Sequence, residues 1–347
     1  MNHLTLVLPF ALPPTELAPD LLRALRAPAL GAPALGALLS RATRTRTTFD
    51  DDARALPHEL WLARTLNLSQ AYAAFAAAAM RSFAIDPGAD PGAWLIVNPA
   101  HIEIARSHLA LHDLRKLQLT DADARALFAC AQPLFYELGH CLRYGNAQTW
   151  FLRAAGWELL ETSTPDVVLG MNLGDAMPAG AEARTFRRLQ NEVQMLWFDH
   201  PVNVARAQQG LAPVNAIWPW GSAAGAEPPD RVTPAPQLAV YGAPAWLEAM
   251  AQQVLADPGA ILTAKGDALL VCGTLTGPWL AGEWSAWLDA MHQLEATLFA
   301  PTLALIQAGK VKSVRLVASH RTALLVATTT PMAQRAFWRR NTLDHLL

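Results

Sequence analysis

At 347 residues the chain is long enough for about two domains, each able to bury a core. Apolar residues make up 52% and charged ones 16%, which excludes a disordered protein. The net charge of −2 gives no pull toward nucleic acid or an anionic membrane surface. Cys130, Cys141 and Cys272 are too few and too scattered for a disulfide framework or a zinc site, and read as buried free thiols. No apolar run reaches the roughly 18 residues that cross a bilayer. No basic segment precedes an apolar one at the N-terminus. A cytoplasmic protein, with neither membrane nor nucleic-acid partner, is expected. Twelve Trp against four Tyr point to indole-rich cores or interfaces.

Leu4 to Phe10 is a short apolar run that predicts a buried strand opening an α/β domain. Residues 15 to 40 predict short helices broken by Pro28 and Pro33. Arg41 to Thr48, running into Asp50, Asp51 and Asp52, predicts a solvated loop; the alternative is a phosphate site on Arg41, Arg44 and Arg46 beside a metal site on the aspartates. Pro57 to Phe83 predicts one or two helices, and the Asp86 to Gly92 turn cluster a domain boundary. Trp94 to Val97 and Ile102 to Leu111 predict two strands. Thr120 to Cys141 predicts a helix with Thr120 as N-cap and Asp121 and Asp123 in its first turn.

Strands are next expected at Tyr144 to Ala154 and Trp157 to Thr162, then a helix from Glu182 to Phe198. Gly221 leads into a linker to Asp230, a second boundary. Leu238 to Tyr241 and Ala268 to Cys272 predict strands around a helix at Ala245 to Leu255. A long helix at Glu283 to Gln307 precedes a hairpin, Val311 to Ala318 with Thr322 to Thr328. A closing helix, Pro331 to Leu346, has Pro at its start. Arg335, Arg339 and Arg340 beside Trp338 make a solvated basic face on it.

The segment from Gln190 to Gly221 is the densest in polar chemistry. Asp199-His200-Pro201-Val202-Asn203 ends a helix, Arg206 follows, and Val214-Asn215 leads into Trp218, Trp220 and Gly221. Arg suits bidentate contact with phosphate or carboxylate, and the imidazole and amides would orient such an anion. The same residues equally suit a structural role, with His200 and Asn203 capping a helix end and Arg206 paired to a carboxylate. Trp218 and Trp220 face one side of an extended segment. They suit packing of one domain on another, or a ligand platform.

This order, His-Pro-x-Asn, Arg, Gly, Pro-x-Asn and a Trp- and Gly-rich turn, resembles a segment of archaeal-type cofactor-independent phosphoglycerate mutases. Asn191-Glu-Val-Gln-Met-Leu196, His200 to Asn203, Val214 to Gly221 and Phe337 to Arg340 together resemble a bacterial group of RpfE-type regulatory, phosphoglycerate-mutase-like proteins. The resemblance implies an α/β fold with an alkaline-phosphatase-like core, residues 1–92 and 222–347, and an inserted α+β domain, residues 93–221. It also implies chemistry at two divalent metals held by Asp and His clusters, with a Ser or Thr taking the phosphoryl group.

The chain departs from that pattern. Pro9-Phe10-Ala11-Leu12-Pro13 follows the first strand where an Asp-Gly-rich motif is expected. Thr164-Pro165-Asp166 stands where the family has Pro-His-Asp. Asp257, Asp267, Asp289, His292, His320, Asp344 and His345 form no paired ligand pattern. The expectation is therefore a catalytically degenerate, regulatory relative with no cofactor. It would bind a phosphorylated or carboxylate small molecule through His200, Asn203, Arg206, Asn215, Trp218 and Trp220, or a protein partner or second copy of itself. The alternative is metal-dependent phosphoryl transfer or phosphate-ester hydrolysis at a rearranged site, for which His101, Glu103, His108 and Asp113 are the only dense ligand source. On a single strand, His101 and Glu103 would face away from His108 and His112. A third reading is a non-catalytic scaffold.

Overall fold

The computed structural model describes residues 1–27, 31–68, 73–89, 92–105, 108–154, 156–157, 160–224, 236–336 and 338–347. The linker expected at 222–230 lies mostly outside them, as does Phe337. In chain order the first strands are β1 (His3–Leu8), β2 (Thr43–Thr48), β3 (Ala93–Ala100), β4 (Ile102–Ala105), β5 (His108–Leu111), β6 (Cys141–Asn146) and β7 (Thr149–Arg153). The others are β8 (Ala216–Ala224), β9 (Gln237–Tyr241), β10 (Gln253–Val254), β11 (Ala268–Cys272), β12 (Ser313–Ser319) and β13 (Ala323–Thr329). Two compact units divide them. One comprises 1–52, 56–58 and 231–347, the other 53–55 and 59–230.

The first unit is a seven-stranded sheet in the order β10-β9-β11-β1-β12-β13-β2. The five strands from β10 to β12 run parallel, and β13 and β2 are added antiparallel. Central β1 is largely buried on both faces, as parallel strands are, which is why it reads as a nearly continuous apolar run broken only by Thr5 after exposed His3. Leu4, Leu6 and Leu8 share one face with Leu270, Leu316 and Ala318. The helices Pro33–Ser40 and Trp284–Leu294 contribute Leu35, Leu38, Trp287, Met291 and Leu294 to the same core.

Three expectations for this unit are corrected. Arg41 to Thr48 is not a loop: Thr43–Thr48 is the exposed edge strand β2. Its alternating Thr and Arg combine β-branched residues with the positive charge that keeps an edge from pairing elsewhere. The closing helix stops at Gln334, after one turn. The long C-terminal helix is present but contains a π-helical turn at Glu295–Phe299.

The second unit carries the antiparallel sheet β6-β7-β3-β8. The helices Asp121–Glu137 and Ala183–Phe198 cover it, burying Leu127, Phe135, Phe186, Val193 and Trp197 against Trp150, Leu152 and Ile217. Thr120 caps the first of these by accepting from the Asp123 N–H. That helix ends at Glu137, and Cys141 opens a strand. Tyr144 to Ala154 is not one strand but parts of two, turned at Ala147 and Gln148. Ile102 to Leu111 is likewise a hairpin, β4 with β5.

Candidate functional site

In open parallel sheets ligands bind beyond the carboxyl ends of the strands, so that end of the first unit is the place to look. After Leu8 the chain enters Phe10 with φ 58°, a left-handed conformation that costs a non-glycine residue roughly 1–3 kcal/mol. Packing holds it there. Phe10 is 0% exposed, its ring lies 4.8 Å from the Trp279 ring, and its carbonyl accepts the Trp287 indole N–H at 2.9 Å. The Leu12 carbonyl accepts the Trp279 indole N–H at 3.1 Å, and the Leu12 N–H donates to the Ser319 carbonyl.

Beside this plug, His58 is 7% exposed, and its Nδ1 lies 2.9 Å from Oγ of buried Ser319, the last residue of β12. Burial pushes the His58 pKa down to about 3, so the imidazole is neutral at pH 7. His320 accepts the Thr322 N–H on Nδ1, and burial, with Arg46 adding to it, pushes its pKa down to about 4. Asp50, Asp51 and Asp52 leave edge strand β2 at this same end, exposed to solvent and two strands removed from β12. The sequence pointed to Pro9 to Pro13 but gave no sign of the His58–Ser319 contact, which joins a helix start to a distant strand end.

In the second unit the Gln190 to Gly221 motif is a hydrogen-bond lattice. His200 caps the helix Pro201–Gln208, its Nδ1 accepting the Val202 N–H. Buried Asn203 donates to the carbonyls of Trp197 and Val214, both at 2.8 Å, and accepts the Val214 N–H at 2.8 Å. Arg206 is 2% exposed. Its guanidinium donates to the carbonyls of Ala212, Gln118 and Leu117 at 2.8, 3.2 and 2.5 Å. Burial lowers its pKa, with Asp123 acting against that. Its hydrogen-bond partners are thus carbonyls, not the carboxylate considered from sequence.

Asn215 clamps Ile102, accepting its N–H at 2.8 Å and donating to its carbonyl at 2.9 Å. Gln190 accepts the Ile217 N–H. Trp218 and Trp220 are buried within this unit, their indoles donating to the Ser163 carbonyl and to Asn98 Oδ1. The lattice brings His200, Asn203, Arg206 and Asn215 into one locality, with these polar groups directed at the backbone.

The residues of the alternative reading fall out differently. Asp113 is bound by the Arg115 guanidinium at 2.9 Å, as is Asp166 of the Thr-Pro-Asp segment. Glu103 is exposed, and the His108 side chain lies outside what the structure describes. In the β4–β5 hairpin Glu103 pairs with Ala110, so His101 and Glu103 share a face with His112 instead of opposing it. Among the described residues no group of three or more His, Cys, Asp or Glu is placed to hold a metal ion.

No family model matches the chain. A protein of Geobacter sulfurreducens described as "Probable 2,3-bisphosphoglycerate-independent phosphoglycerate mutase" is 23% identical over 129 residues, 36% of this chain and 32% of that one. The 2,3-bisphosphoglycerate-independent phosphoglycerate mutase of Methanothrix thermoacetophila is 35% identical over 57 residues, 16% of this chain and 14% of its own length. The chain thus spans about a third of the Geobacter protein and less of the Methanothrix one. The solved structure of PH0037 protein from Pyrococcus horikoshii matches with TM-score 0.55 at 11% identity, covering 99% of this chain and 91% of that chain. The chain is weakly homologous, over part of its length, to cofactor-independent phosphoglycerate mutases, and has the mixed α/β fold with a large sheet that the relationship leads one to expect.

Proposed function

We propose that this protein is a phosphoglycerate-mutase-like relative whose two-metal centre has been replaced by packed side chains, and that it acts by regulation or binding. The observation that carries the reading is the plug after β1. Two-metal phosphoryl transfer needs clustered carboxylates and imidazoles, because charge develops on both the attacking and the leaving oxygen. Phe10 and Leu12 carry no donor side chain, and their own backbone carbonyls are taken by indoles. His58 spends Nδ1 on Ser319. This donor set does not fit two divalent ions.

A phosphorylated or carboxylate small molecule is the ligand class proposed for such a relative. On this reading Asn203, Arg206 and Asn215 hold the fold around that function, since backbone groups are their partners. The test is a coupled mutase assay with 3-phosphoglycerate and added Mn²⁺, run beside thermal melts with 2- and 3-phosphoglycerate. Turnover is expected to match the protein-free blank, and Arg206→Ala to lower Tm equally with and without ligand. Turnover that disappears on chelation would sink the degenerate reading. A loss confined to the ligand-induced part of the melt would return Arg206 to a binding site.

A further inference from the structure

The helix Ala183–Phe198 buries one face and leaves large apolar side chains on the other. Phe186, Leu189, Val193 and Trp197 pack into the core of the second unit. On the opposite side Met195 is 78% exposed and Phe198 76% exposed. Residues three apart on a helix are neighbours, so these two make one patch. A Met and a Phe left together in water differ from the single apolar residues scattered over any surface. Met195 belongs to the Asn191 to Leu196 motif and Phe198 follows it closely. Neither side chain is used by the plugged sheet end or by the hydrogen-bond lattice.

The solvent face has a period of its own. Arg184, Arg188, Asn191, Met195 and Phe198 follow one another at steps of four, three, four and three, the spacing of a coiled-coil seam. All five are exposed. The stripe is cationic at its N-terminal end, where Arg188 also pairs with Glu192 one turn on. It is apolar at its C-terminal end, where Asp199 follows as the C-cap residue.

We infer that this face binds a second copy of the chain through an antiparallel pair of these helices. Such a stripe complements itself when reversed. With the two-fold axis at the level of Val193, Arg188 meets Phe198 of the partner subunit and Asn191 meets the partner's Met195, and the symmetry repeats both pairs. The Arg188 guanidinium then lies on an aromatic ring beside the opposite charge of the partner's Asp199. A parallel pair would set Arg184 and Arg188 against their own copies, which like charge opposes. Asn191, a polar residue in the seam, favours one register at a cost in stability. A helix of 16 residues is about 24 Å long, and one face of it falls short of the roughly 800 Å² per partner of stable interfaces. The dimer is therefore weak and forms with rising concentration.

The experiment is analytical ultracentrifugation of the full chain from about 1 to about 500 µM. The mass is expected to rise from 37.5 kDa toward twice that. Met195→Glu and Phe198→Glu are each expected to weaken association at least about tenfold at an unchanged Tm, because both side chains are exposed. Ile104→Glu, at a position 79% exposed in the β4–β5 hairpin, is expected to associate like the native chain, which separates this face from surface hydrophobicity in general. Oxidation of Asn191→Cys mixed with Met195→Cys tests the register. The mixture is expected to form a disulfide-linked dimer above the native-chain background, and neither variant alone, since like positions then lie beyond the roughly 7 Å that a disulfide spans. A mass that stays at one chain overturns the proposal and leaves the face to a different partner. Association unchanged in Met195→Glu and Phe198→Glu, or either cysteine variant linking alone as fast as the mixture, also overturns it.

Discussion

Asn203 joins the end of one helix, the start of the next and the turn before β8 through three hydrogen bonds from one amide. In Asn203→Asp the one amide nitrogen that donates to both becomes a carboxylate oxygen facing the carbonyls of Trp197 and Val214. A stranded buried polar group costs about 1–3 kcal/mol, so the loss read by urea unfolding is expected to reach about 3 kcal/mol or more. His58 makes a prediction in pH. The unfolded chain takes up its proton near 6.5, whereas the fold resists protonation down to about 3. Its contribution is therefore complete above pH 6.5 and falls as pH drops through that window, by about 1.4 kcal/mol per unit. Urea midpoints are expected to fall from pH 6.5 to 4.5 in the native chain and more shallowly in His58→Gln. The sequence singled out His200, Asn203, Arg206 and Asn215 and allowed for His200 as a helix cap, which the structure shows; the carbonyl partners of Arg206 were not legible. Every residue carries a carbonyl, so nothing in the letters singles out Leu117, Gln118 or Ala212.

Among the elements, the π-helical turn at Glu295–Phe299 interrupts a long C-terminal helix and marks an irregularity with a use. The Glu295 carboxylate accepts the N–H groups of Ala34 and Leu35 at 2.6 and 3.1 Å, capping the helix Pro33–Ser40, which has no side-chain cap of its own. Burial raises the Glu295 pKa, with those two N–H groups opposing it. Glu295→Gln removes the charge from a charge-assisted pair and can turn an amide N–H toward a donor. It is expected to lower stability by about 1–3 kcal/mol in denaturant titration, with far-ultraviolet ellipticity almost unchanged. Long periodic helices and the β12–β13 hairpin were readable from pattern. The β4–β5 turn and edge strand β2 were not, since their pairing depends on register with other segments, and Thr-Arg alternation reads as loop until a partner strand is present.

For the whole molecule, composition and the opening apolar strand sufficed for an α/β class, and the motif for a weak link to the mutases. The plug could be suspected from the missing Asp-Gly after β1, but its tightness depends on Trp279 and Trp287, far along the chain. Among the described residues no helix is long and apolar enough to cross a membrane.

The place of β1 at the middle of its sheet has a consequence for biosynthesis. Leu4 pairs with Ala268 on one side and Val314 on the other, so β1, once translated, waits for strands that follow it much later in the chain. Residues 59–230, by contrast, form one compact unit from an unbroken stretch and can collapse while the remainder is still being translated. The apolar N-terminal strand must meanwhile stay unpaired, which makes that interval the one most open to chaperone capture or misassembly.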